Sequence, residues 1–323
     1  MIRFEKPIVV ALGGNAIAPP SANGDDVIPQ QFSATRKTVI TLVDLIQAGG
    51  RLLVTHGNGP QVGAALRRVE VAATEVYTLP LDICGADTQG GMGYMIAQCF
   101  NNELRRRGIE ITANTIITSV EVDRADPEFK KPTKPVGCFY TAEEAEKMQR
   151  LYGWKMAKAQ RNGKYRRVVP SPTPRRIIEI KLIRECIRAG DLIVAGGGGG
   201  VPIALDVEGN LVGIEGVIDK DRTSALLARE VDADTFIIAT GVNKVALDYG
   251  KPEQRTIDRM TVSEARRHLD AGQFPPGSMG PKIEAAIDFL EHVQSPDAAV
   301  IICDLEHLMD AINGRDGTWI VPG

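Results

Sequence analysis

The sequence predicts an α/β protein with a mainly parallel open sheet that is covered by helices on both faces. Two observations lead to this fold class. Short apolar runs of strand length alternate with helical patterns along most of the 323 residues, and three of those runs end in glycine-rich turns. Alternating strands and helices are typical of parallel sheets, in which a helix returns the chain to the start of the next strand.

The three strand–glycine junctions are the most informative stretches of the chain. A glycine turn leaves backbone N–H groups uncovered, and phosphate is the commonest guest of such turns. Because ligands of open α/β sheets bind at the carboxyl ends of strands, we expect the three turns to line one crevice. A flexible linker is the alternative interpretation of the five-glycine run. The junctions are Ile8–Leu12 before Gly13-Gly14-Asn15, Leu52–Thr55 before His56-Gly57-Asn58-Gly59, and Leu192–Val194 before Gly196–Gly200.

The remaining elements follow from apolar periodicity, capping residues and glycine stops. Capping boxes at Thr141 and Thr261 mark two helix starts. Residues 19–29 are interpreted as a polar loop and residues 79–85 as irregular, and a last helix and strand close the chain. Strands are expected at 109–122, 235–240 and 298–304 and a hairpin at 205–213, with helices at 33–48, 61–74, 88–107, 174–189, 222–230, 261–271 and 281–292.

Residues 123–174 differ in composition from the rest of the chain. They contain six prolines and a dense basic set. Each proline restricts itself and its predecessor, so Lys134 is presented on a stiff, extended frame. We interpret this stretch as an excursion from the sheet that forms a small lid. The pairs Arg166-Arg167 and Arg175-Arg176 are typical of a solvated face.

Composition and charge disfavour several classes of function. The chain is 43% hydrophobic and carries a net charge of −3, which argues against nucleic acid or an anionic membrane as the main partner. Any anion site must then be a local basic pocket. No apolar run reaches the length of a membrane span, and the N-terminus runs into a strand without a signal peptide. The five scattered cysteines suit a reducing cytoplasm and show no metal-ligand spacing.

Three lysines and two aspartates are the strongest candidates for chemistry. One of the lysines is Lys134, on the stiff proline frame described above. Lys282 follows Pro281 in the first turn of a helix, where a cation opposes the helix dipole unless an anion lies between them. Lys220 lies just before a helix that Asp221 would cap, and Asp219 flanks it on the other side. One carboxylate could hold a lysine while the other binds Mg²⁺. The alternatives are ordinary surface lysines and a simple helix cap.

Lysines combined with glycine turns indicate phosphoryl transfer, which depends on positioning and charge neutralisation more than on a covalent catalyst. A Walker A motif is absent, because neither Gly163-Lys164 nor Gly250-Lys251 is followed by Ser or Thr. The GxGxxG fingerprint is absent from all three glycine turns, which disfavours a dinucleotide-dependent oxidoreductase. His56, at a strand end, is expected to hydrogen-bond its loop rather than to act as a general base.

Seven blocks of sequence, spread in order over nearly the whole chain, form a recognisable set: Ala11–Ala16, Thr55–Gly63, Lys134–Gly137, Arg167–Pro172, Gly196–Pro202, Val217–Asp221 and Gly277–Lys282. Together they resemble the carbamate kinase family. The resemblance implies the amino-acid-kinase fold, a three-layer αβα sandwich with a small protruding subdomain, usually assembled as a homodimer. It implies an N-terminal lobe at 1–210 for carbamate or carbamoyl phosphate, a protruding subdomain at about 123–174, and a C-terminal nucleotide lobe at 211–323.

The resemblance also implies an activity, a cofactor and residue roles. The reaction would be reversible phosphoryl transfer between ATP and carbamate, in the cytoplasm and in arginine metabolism, with Mg²⁺ held mainly by the nucleotide phosphates rather than by protein side chains. Lys134, Lys220 and Lys282 would neutralise the phosphoryl oxygens, and Asp221 would orient the lysines. The phosphoryl and carbamate groups would meet Gly13, Gly14, Asn15, Gly57, Asn58 and Gly59. The nucleotide would meet Gly197, Gly198, Gly199, Asp219, Thr240, Val242, Tyr249 and Met279.

Two departures from the family pattern leave the identity of the acceptor open. The family usually reads Gly-Ala-Met-Ser-Gln-Gly where this chain has Gly85-Ala86-Asp87-Thr88-Gln89-Gly90, and the carboxylate of Asp87 either faces solvent or alters the acceptor site. Gly216 stands where the family more often has alanine. The alternatives are a related kinase for another small carboxylate and a catalytically silent nucleotide-binding regulator, which the retained lysines and Asp221 disfavour.

Overall fold

A computed structural model of the chain describes residues 4–17, 26–159, 163–275 and 277–323. Helices and strands alternate along these ranges, as the sequence predicts. The helices are α1 (Val27–Gln47), α2 (Gly59–Ala72), α3 (Leu81–Arg106), α4 (Ala142–Tyr152), α5 (Ile180–Ala189), α6 (Lys220–Glu230), α7 (Val262–Asp270), α8 (Met279–His292) and α9 (Leu308–Ile312). The strands are β1 (Ile8–Leu12), β2 (Leu52–His56), β3 (Ala113–Thr115), β4 (Ser119–Val122), β5 (Lys134–Tyr140), β6 (Lys155–Lys158), β7 (Tyr165–Val169), β8 (Pro174–Ile177), β9 (Leu192–Val194), β10 (Val201–Leu205), β11 (Leu211–Gly213), β12 (Thr235–Ala239), β13 (Val245–Leu247), β14 (Arg255–Ile257), β15 (Arg259–Thr261), β16 (Ala299–Cys303) and β17 (Thr318–Val321).

The central sheet has eight strands in the order β15-β17-β16-β12-β1-β2-β9-β3. Neighbouring strands are parallel throughout, except for the antiparallel pair β16 and β17. The predicted mainly parallel sheet is therefore confirmed. Its order places the carboxyl ends of β1, β2 and β12 side by side, at one edge of the sheet.

The side chains of β1 show how the layers of the fold arise. Ile8, Val10 and Leu12 pack into a core shared with α1, α3 and α9. Val9 and Ala11 pack into the opposite core, which is shared with α5, α6 and α8. Successive residues of a strand point to opposite faces, so a strand that is apolar at every position requires helices on both sides. The three-layer αβα sandwich is confirmed.

Two predicted helix starts are wrong. The polar loop expected at 19–29 falls largely on residues 18–25, outside the described residues, and α1 already begins at Val27 rather than at 33. The segment 79–85 is not irregular, because α3 begins at Leu81 after Pro80 at its N-cap. Leu81, Cys84 and Thr88 form one buried stripe of that helix. The burial of this stripe outweighs the lower helix propensity of the glycine at position 85.

Two predicted elements are divided in the structure. The strand expected at 109–122 consists of β3, which pairs with β9 in the central sheet, and β4, which pairs with β10 and β8 in a second, four-stranded sheet. The helix expected at 174–189 begins only at Ile180, because the preceding residues form β8. In both cases the boundary depends on a distant pairing partner, which local sequence does not reveal.

A separate three-stranded sheet, in the order β5-β7-β6, lies within the proline-rich stretch. Helix α4 packs against it and begins with the predicted capping box at Thr141; the box at Thr261 also forms. Strand β5 packs against α2 of the main body. We call these three strands the protruding sheet. Among the helices of the described ranges, none has the length and apolar character needed to cross a bilayer.

Candidate active site

A cleft of about 1460 Å³ opens at the carboxyl ends of β1, β2 and β12. One wall comes from the protruding sheet, through residues of β5 and β7. Most of the predicted site residues line this single cleft: Gly13, Gly14, Gly57, Asn58, Gly59, Gly198, Thr240, Lys134, Lys220, Lys282, Asp219 and Asp221. Residues remote in sequence thus converge where the parallel sheet brings its strand ends together.

Two of the three lysines share one carboxylate. The Nζ atom of Lys220 lies 2.5 Å from Oδ1 of Asp221, and the Nζ atom of Lys282 lies 2.8 Å from Oδ2. Lys220 and Asp221 belong to the first turn of α6, and Lys282 lies near the start of α8. Because α6 and α8 pack against each other, both ammonium groups are held at the same edge of the cleft.

The third lysine approaches from the protruding sheet. The Nζ atom of Lys134 lies 2.8 Å from Oδ2 of Asp219, while Oδ1 of Asp219 accepts a hydrogen bond from the backbone N–H of Asp221 at 2.9 Å. Asp219 is therefore the N-cap of α6, and the prediction that Asp221 caps this helix is wrong. Because Asp219 caps the helix, the Asp221 carboxylate is available to hold two lysines.

The charges in this cluster depend on one another. Burial alone would raise the pKa of the Asp221 carboxyl, but the ammonium groups of Lys220 and Lys282 hold that pKa well below its ordinary value. In the same way Lys134 holds the pKa of Asp219 below its ordinary value, against the effect of burial. Burial lowers the pKa of Lys220, and Asp221 opposes that shift. Three ammonium groups therefore face two carboxylates, which leaves positive charge for an anion.

The first two glycine turns and Lys220 are in direct contact. A Cβ atom placed on Gly57 would lie 3.6 Å from Cδ of Lys220 and 3.9 Å from the backbone nitrogen of Gly14. Gly14 and Gly59 border open space, with no atom of the described residues within 4 Å of an added Cβ. Asn15 lies between Gly14 and Ala16 in a 3-10 turn. The two turns thus leave room for a ligand beside the lysine.

Sequence reasoning missed the support of Asn58. This side chain is buried, and its Nδ2 donates to Oγ1 of Thr88 at 2.9 Å, which in turn donates to the Gly85 carbonyl at 2.8 Å. The adjacent Gln89 donates to the carbonyl of Thr118 at 3.1 Å and accepts from its N–H at 3.0 Å. The sequence shows that residue 88 is polar, but only the tertiary structure shows that Thr88 bonds Asn58.

The five-glycine run differs from what the sequence predicts. Three of its five N–H groups are bonded within the protein: Gly196 donates to Thr118 Oγ1, and Gly199 and Gly200 donate to carbonyls within the run. A Cβ on Gly199, whose φ is +94°, would lie 2.3 Å from the Ile218 carbonyl oxygen, and one on Gly197 would lie 2.5 Å from His56 Nε2. Close packing therefore explains these glycines, and Gly198 is the member of the run that lines the cleft.

His56 lies beneath this run, with its ring buried. Its Nδ1 is 3.1 Å from the Gly57 carbonyl oxygen, so it donates to its own loop. Burial lowers the pKa of His56 to about 4, and the imidazole is neutral at physiological pH. The prediction that His56 hydrogen-bonds its loop is confirmed.

The residues predicted to hold a nucleotide separate into two sets. Thr240 lines the cleft, and its N–H donates to the Cys303 carbonyl at 2.9 Å. Ser278 and Gly241 line it as well and were not singled out from the sequence. The predicted residues that are not among the lining residues are Gly197, Gly199, Val242, Tyr249 and Met279.

Two aspartates of the cleft bear on how a magnesium ion would be held. Within the described ranges no group of three or more His, Cys, Asp or Glu side chains is placed to hold a metal. Asp219 and Asp221 each pair with lysines. Mg²⁺ retains several waters and commonly binds through phosphates plus one or two carboxylates, so this donor set is compatible with an ion carried by the nucleotide.

The two departures from the family pattern lie outside the lining of the cleft. Asp87 is exposed on α3 and is not among the lining residues. A Cβ on Gly216 would lie 3.2 Å from the Pro170 carbonyl oxygen, a contact that a small backbone shift would relieve. Neither Asp87 nor Gly216 is among the described residues that line the cleft.

Comparison with known proteins identifies the family to which the chain belongs. The profile of the amino acid kinase family matches residues 6–303. The carbamate kinase of Thermococcus kodakarensis is 43% identical over 320 residues, covering 98% of this chain and 99% of that protein. The carbamate kinase-like protein YahI of Escherichia coli is 42% identical over 317 residues, covering 97% and 98%.

Solved structures show the same relationship. The carbamate kinase from Giardia lamblia bound to AMP-PNP superposes with a TM-score of 0.91 at 35% identity, covering 98% of this chain and 99% of that one. An N-acetylglutamate synthase from Neisseria gonorrhoeae, at 12% identity and a TM-score of 0.57, shares the fold alone. Both the sequence and the architecture match over almost the full length, and the chain belongs to the amino acid kinase family, on its carbamate kinase branch.

Proposed function

We propose that the protein is a kinase that transfers a phosphoryl group reversibly between ATP and carbamate, forming ADP and carbamoyl phosphate. The observation that carries the proposal is the clamping of Lys220 and Lys282 by one buried carboxylate, Asp221, beside two open glycine turns. Relatives that are 42–43% identical over nearly the whole chain are carbamate kinases or a carbamate kinase-like protein, which supports this acceptor.

The chemistry requires charge neutralisation rather than proton transfer. A carbamate oxygen attacks the γ-phosphorus, the bond to the β–γ bridging oxygen breaks, and ADP leaves with that electron pair. Because carbamate is already an anion, no general base is needed, in keeping with the buried, neutral His56. Lys134, Lys220 and Lys282 neutralise the phosphoryl oxygens, and Asp221 orients two of these lysines. Mg²⁺, when carried in on the nucleotide phosphates, supplies further neutralisation, with Asp219 as a candidate carboxylate beside it.

We assign the remaining contacts on the same basis. The acceptor and the transferring phosphoryl group meet the turns after β1 and β2, and the nucleotide meets the side of the cleft that contains Gly198, Thr240 and Ser278. The lobes at 1–210 and 211–323, a protruding subdomain near 123–174, a homodimer, a cytoplasmic location and a role in arginine metabolism complete the proposal.

A kinase for another small carboxylate is the second candidate. The Escherichia coli relative described as carbamate kinase-like, at 42% identity, favours keeping it, whereas the solvent-exposed position of Asp87 removes the sequence feature that first suggested it. A silent nucleotide-binding regulator is the third candidate, and it leaves the clamped lysines without a purpose.

The test is ATP formation from ADP and carbamoyl phosphate with Mg²⁺, run beside acetyl phosphate and aspartyl phosphate. We expect turnover with carbamoyl phosphate, and a fall in kcat of roughly 10²-fold or more in Lys282→Ala, because one donor to the developing charge is lost. Lys251→Ala is the matched control, since Lys251 is exposed and pairs with Asp248 away from the cleft. Activity confined to another acyl phosphate would favour the second candidate, and nucleotide binding without turnover the third.

A further inference from the structure

Arg166 is a cation of the cleft that the mechanism above does not use. It belongs to β7 of the protruding sheet, is partly buried and lines the cleft. One terminal nitrogen donates to the Gly137 carbonyl at 3.0 Å, and Cζ lies 5.2 Å from the centre of the Phe139 ring. Its Nε atom is buried and has no hydrogen-bond partner among the described residues.

Two arginines near Arg166 are paired with carboxylates. Arg167 donates to Glu215 at 2.5 Å and stacks on Trp154 at 4.3 Å, so the expectation of a solvated face is wrong for it. Arg67, which also lines the cleft, pairs with Glu70 at 3.0 Å. No Asp or Glu of the described chain pairs with Arg166, and burial lowers its pKa with only Cys138 acting against that shift.

An unpaired, partly buried guanidinium is costly to maintain. A buried donor without a partner costs about 1–3 kcal/mol, and more when the group is charged. Proteins retain such groups where a ligand completes the pairing, and a guanidinium offers a planar fork that matches a carboxylate. An anionic ligand would supply the partner that the described residues do not provide for Arg166.

The backbone around Arg166 is shaped to hold it there. Strand β5 bulges between Val136 and Tyr140, where its register against β7 shifts, and Gly137 within the bulge has φ of +72°. Bulges beside active sites commonly re-aim a neighbouring side chain. Gly63 of α2 lies beside the bulge, since a Cβ there would make ordinary van der Waals contact with the Gly137 Cα at 3.6 Å. The start of α2, at Gly59 and Pro60, lines the same cleft.

We propose that Arg166 binds the acceptor, with its guanidinium on the carboxylate oxygen of carbamate that does not attack phosphorus, which is the carbonyl oxygen of carbamoyl phosphate, and that it thereby selects a small planar acid. This assignment rests on the proposed function. It adds a cation from the protruding sheet to the three lysines, and it gives the acceptor a contact of its own. The lysines act on the phosphoryl group, whereas Arg166 acts on the acceptor's carboxyl end.

The kinetic test measures KM for carbamoyl phosphate and for ADP separately in Arg166→Gln, Arg166→Lys and the wild type. A charged hydrogen bond contributes about 1.5–3 kcal/mol, so we expect KM for carbamoyl phosphate to rise by roughly 10- to 100-fold in Arg166→Gln, with KM for ADP unchanged within about twofold. Arg166→Lys keeps the charge but loses the fork, and its KM should lie between the two. Arg176→Gln is the control, because Arg176 is an exposed arginine paired with Glu121 on β4.

Several results would overturn the inference. An unchanged KM for carbamoyl phosphate in a folded Arg166→Gln would do so, as would equal rises in both KM values, which indicate a general distortion of the cleft. If Arg166→Gln does not fold, Arg166→Lys decides the question through the same ratio of KM values.

Calorimetric titration with carbamoyl phosphate, without nucleotide, separates this inference from the proposed function. If the wild type forms ATP and Arg166→Gln binds carbamoyl phosphate as tightly as the wild type does, only the inference is contradicted. A wild type that binds carbamoyl phosphate through Arg166 but makes no ATP contradicts the proposed function alone. Absence of both binding and turnover in the wild type contradicts both.

Discussion

Two kinds of glycine turn follow strands of the central sheet, and they differ in what surrounds them. After β1 and β2, Gly14 and Gly59 border open space, where the described part of the chain places no atom within 4 Å of an added Cβ. After β9, Gly197 and Gly199 face protein atoms at 2.5 Å and 2.3 Å from such a Cβ. Similar composition therefore leaves room for a ligand in one region and permits close packing in the other.

The difference follows from what each turn must connect. The turns after β1 and β2 each lead into a helix, along the usual course of an α/β unit. The run after β9 carries the chain from the central sheet directly to β10 of the second sheet, and it must pass His56 and Ile218 at short range. The number of glycines in a turn is thus a poor guide to ligand contact, and the space around each one is a better guide.

The largest expected effect is on stability at Gly199. Gly199→Ala places a Cβ 2.3 Å from the Ile218 carbonyl oxygen at a φ of +94°. The left-handed backbone costs about 1–2 kcal/mol for an L-residue, and the backbone must also shift, so we expect a loss of at least ~3 kcal/mol in the free energy of unfolding. Urea titration monitored by circular dichroism measures it.

Gly209→Ala is the matched control for that measurement. Gly209 has a φ of +86° but no atom within 4 Å of an added Cβ, so this variant carries the left-handed cost alone, about 1–2 kcal/mol. Equal losses in Gly199→Ala and Gly209→Ala would show that packing around the run is not tight, and the contrast between the two kinds of turn would fail.

The second effect concerns pH, through His56 beneath the run. Its pKa is lowered to about 4 in the folded protein, against about 6.5 when unfolded. Between these values the unfolded chain binds more protons, so stability is full above pH 6.5 and falls as the pH drops towards 4, by roughly 3 kcal/mol. Denaturant titrations at pH 7, 6, 5 and 4 test this.

A His56→Asn variant provides the comparison for the pH series. It should be less stable than the wild type at pH 7, and its stability should fall less steeply between pH 6.5 and 4, because the titrating group is gone. Above pH 7 the two profiles should run parallel. A wild-type slope that persists in the variant would assign the acid sensitivity to other groups.

The smallest stability effect is expected at Gly14. Its φ is not in the left-handed region, and an added Cβ meets no atom of the described residues within 4 Å, so Gly14→Ala should change the free energy of unfolding by less than about 0.5 kcal/mol. The methyl group would nevertheless occupy the space assigned to the phosphoryl group, and we expect kcat/KM to fall by about tenfold or more. Retained activity would mean that this turn does not face the reacting group.

Sequence reasoning reached the central sheet because its strands are locally unambiguous. The strands β1, β2, β9 and β12 are short apolar runs bounded by glycine or polar residues, and a parallel sheet then brings their carboxyl ends together. The lysines were found because Lys220 and Lys282 sit at helix starts, where an unsatisfied cation is unfavourable. Their contribution to catalysis stays a prediction.

Other features depend on partners far away in the chain. In the sequence Asp219-Lys220-Asp221, either carboxylate could cap α6. Asp221 is instead occupied by Lys282, which lies 61 residues further along the chain and donates to Oδ2 of Asp221. Local sequence does not reveal this contact. Arg166 and Arg167 are identical neighbours in sequence, yet β7 turns one to Glu215 and the other to the cleft. Strand alternation predicts opposite faces, but not what each face meets.

Asp219 contacts two parts of the molecule through separate oxygens, one on the amide of Asp221 and one on the ammonium group of Lys134. The first bond caps the start of α6, because it satisfies a backbone N–H of the first turn. The second bond reaches the protruding sheet through the flexible four-carbon side chain of Lys134. Loss of the Lys134 contact would therefore leave α6 capped by Asp219. The contacts of Lys220 and Lys282 with Asp221 do not involve Lys134, so these two ammonium groups would keep their places when it is removed.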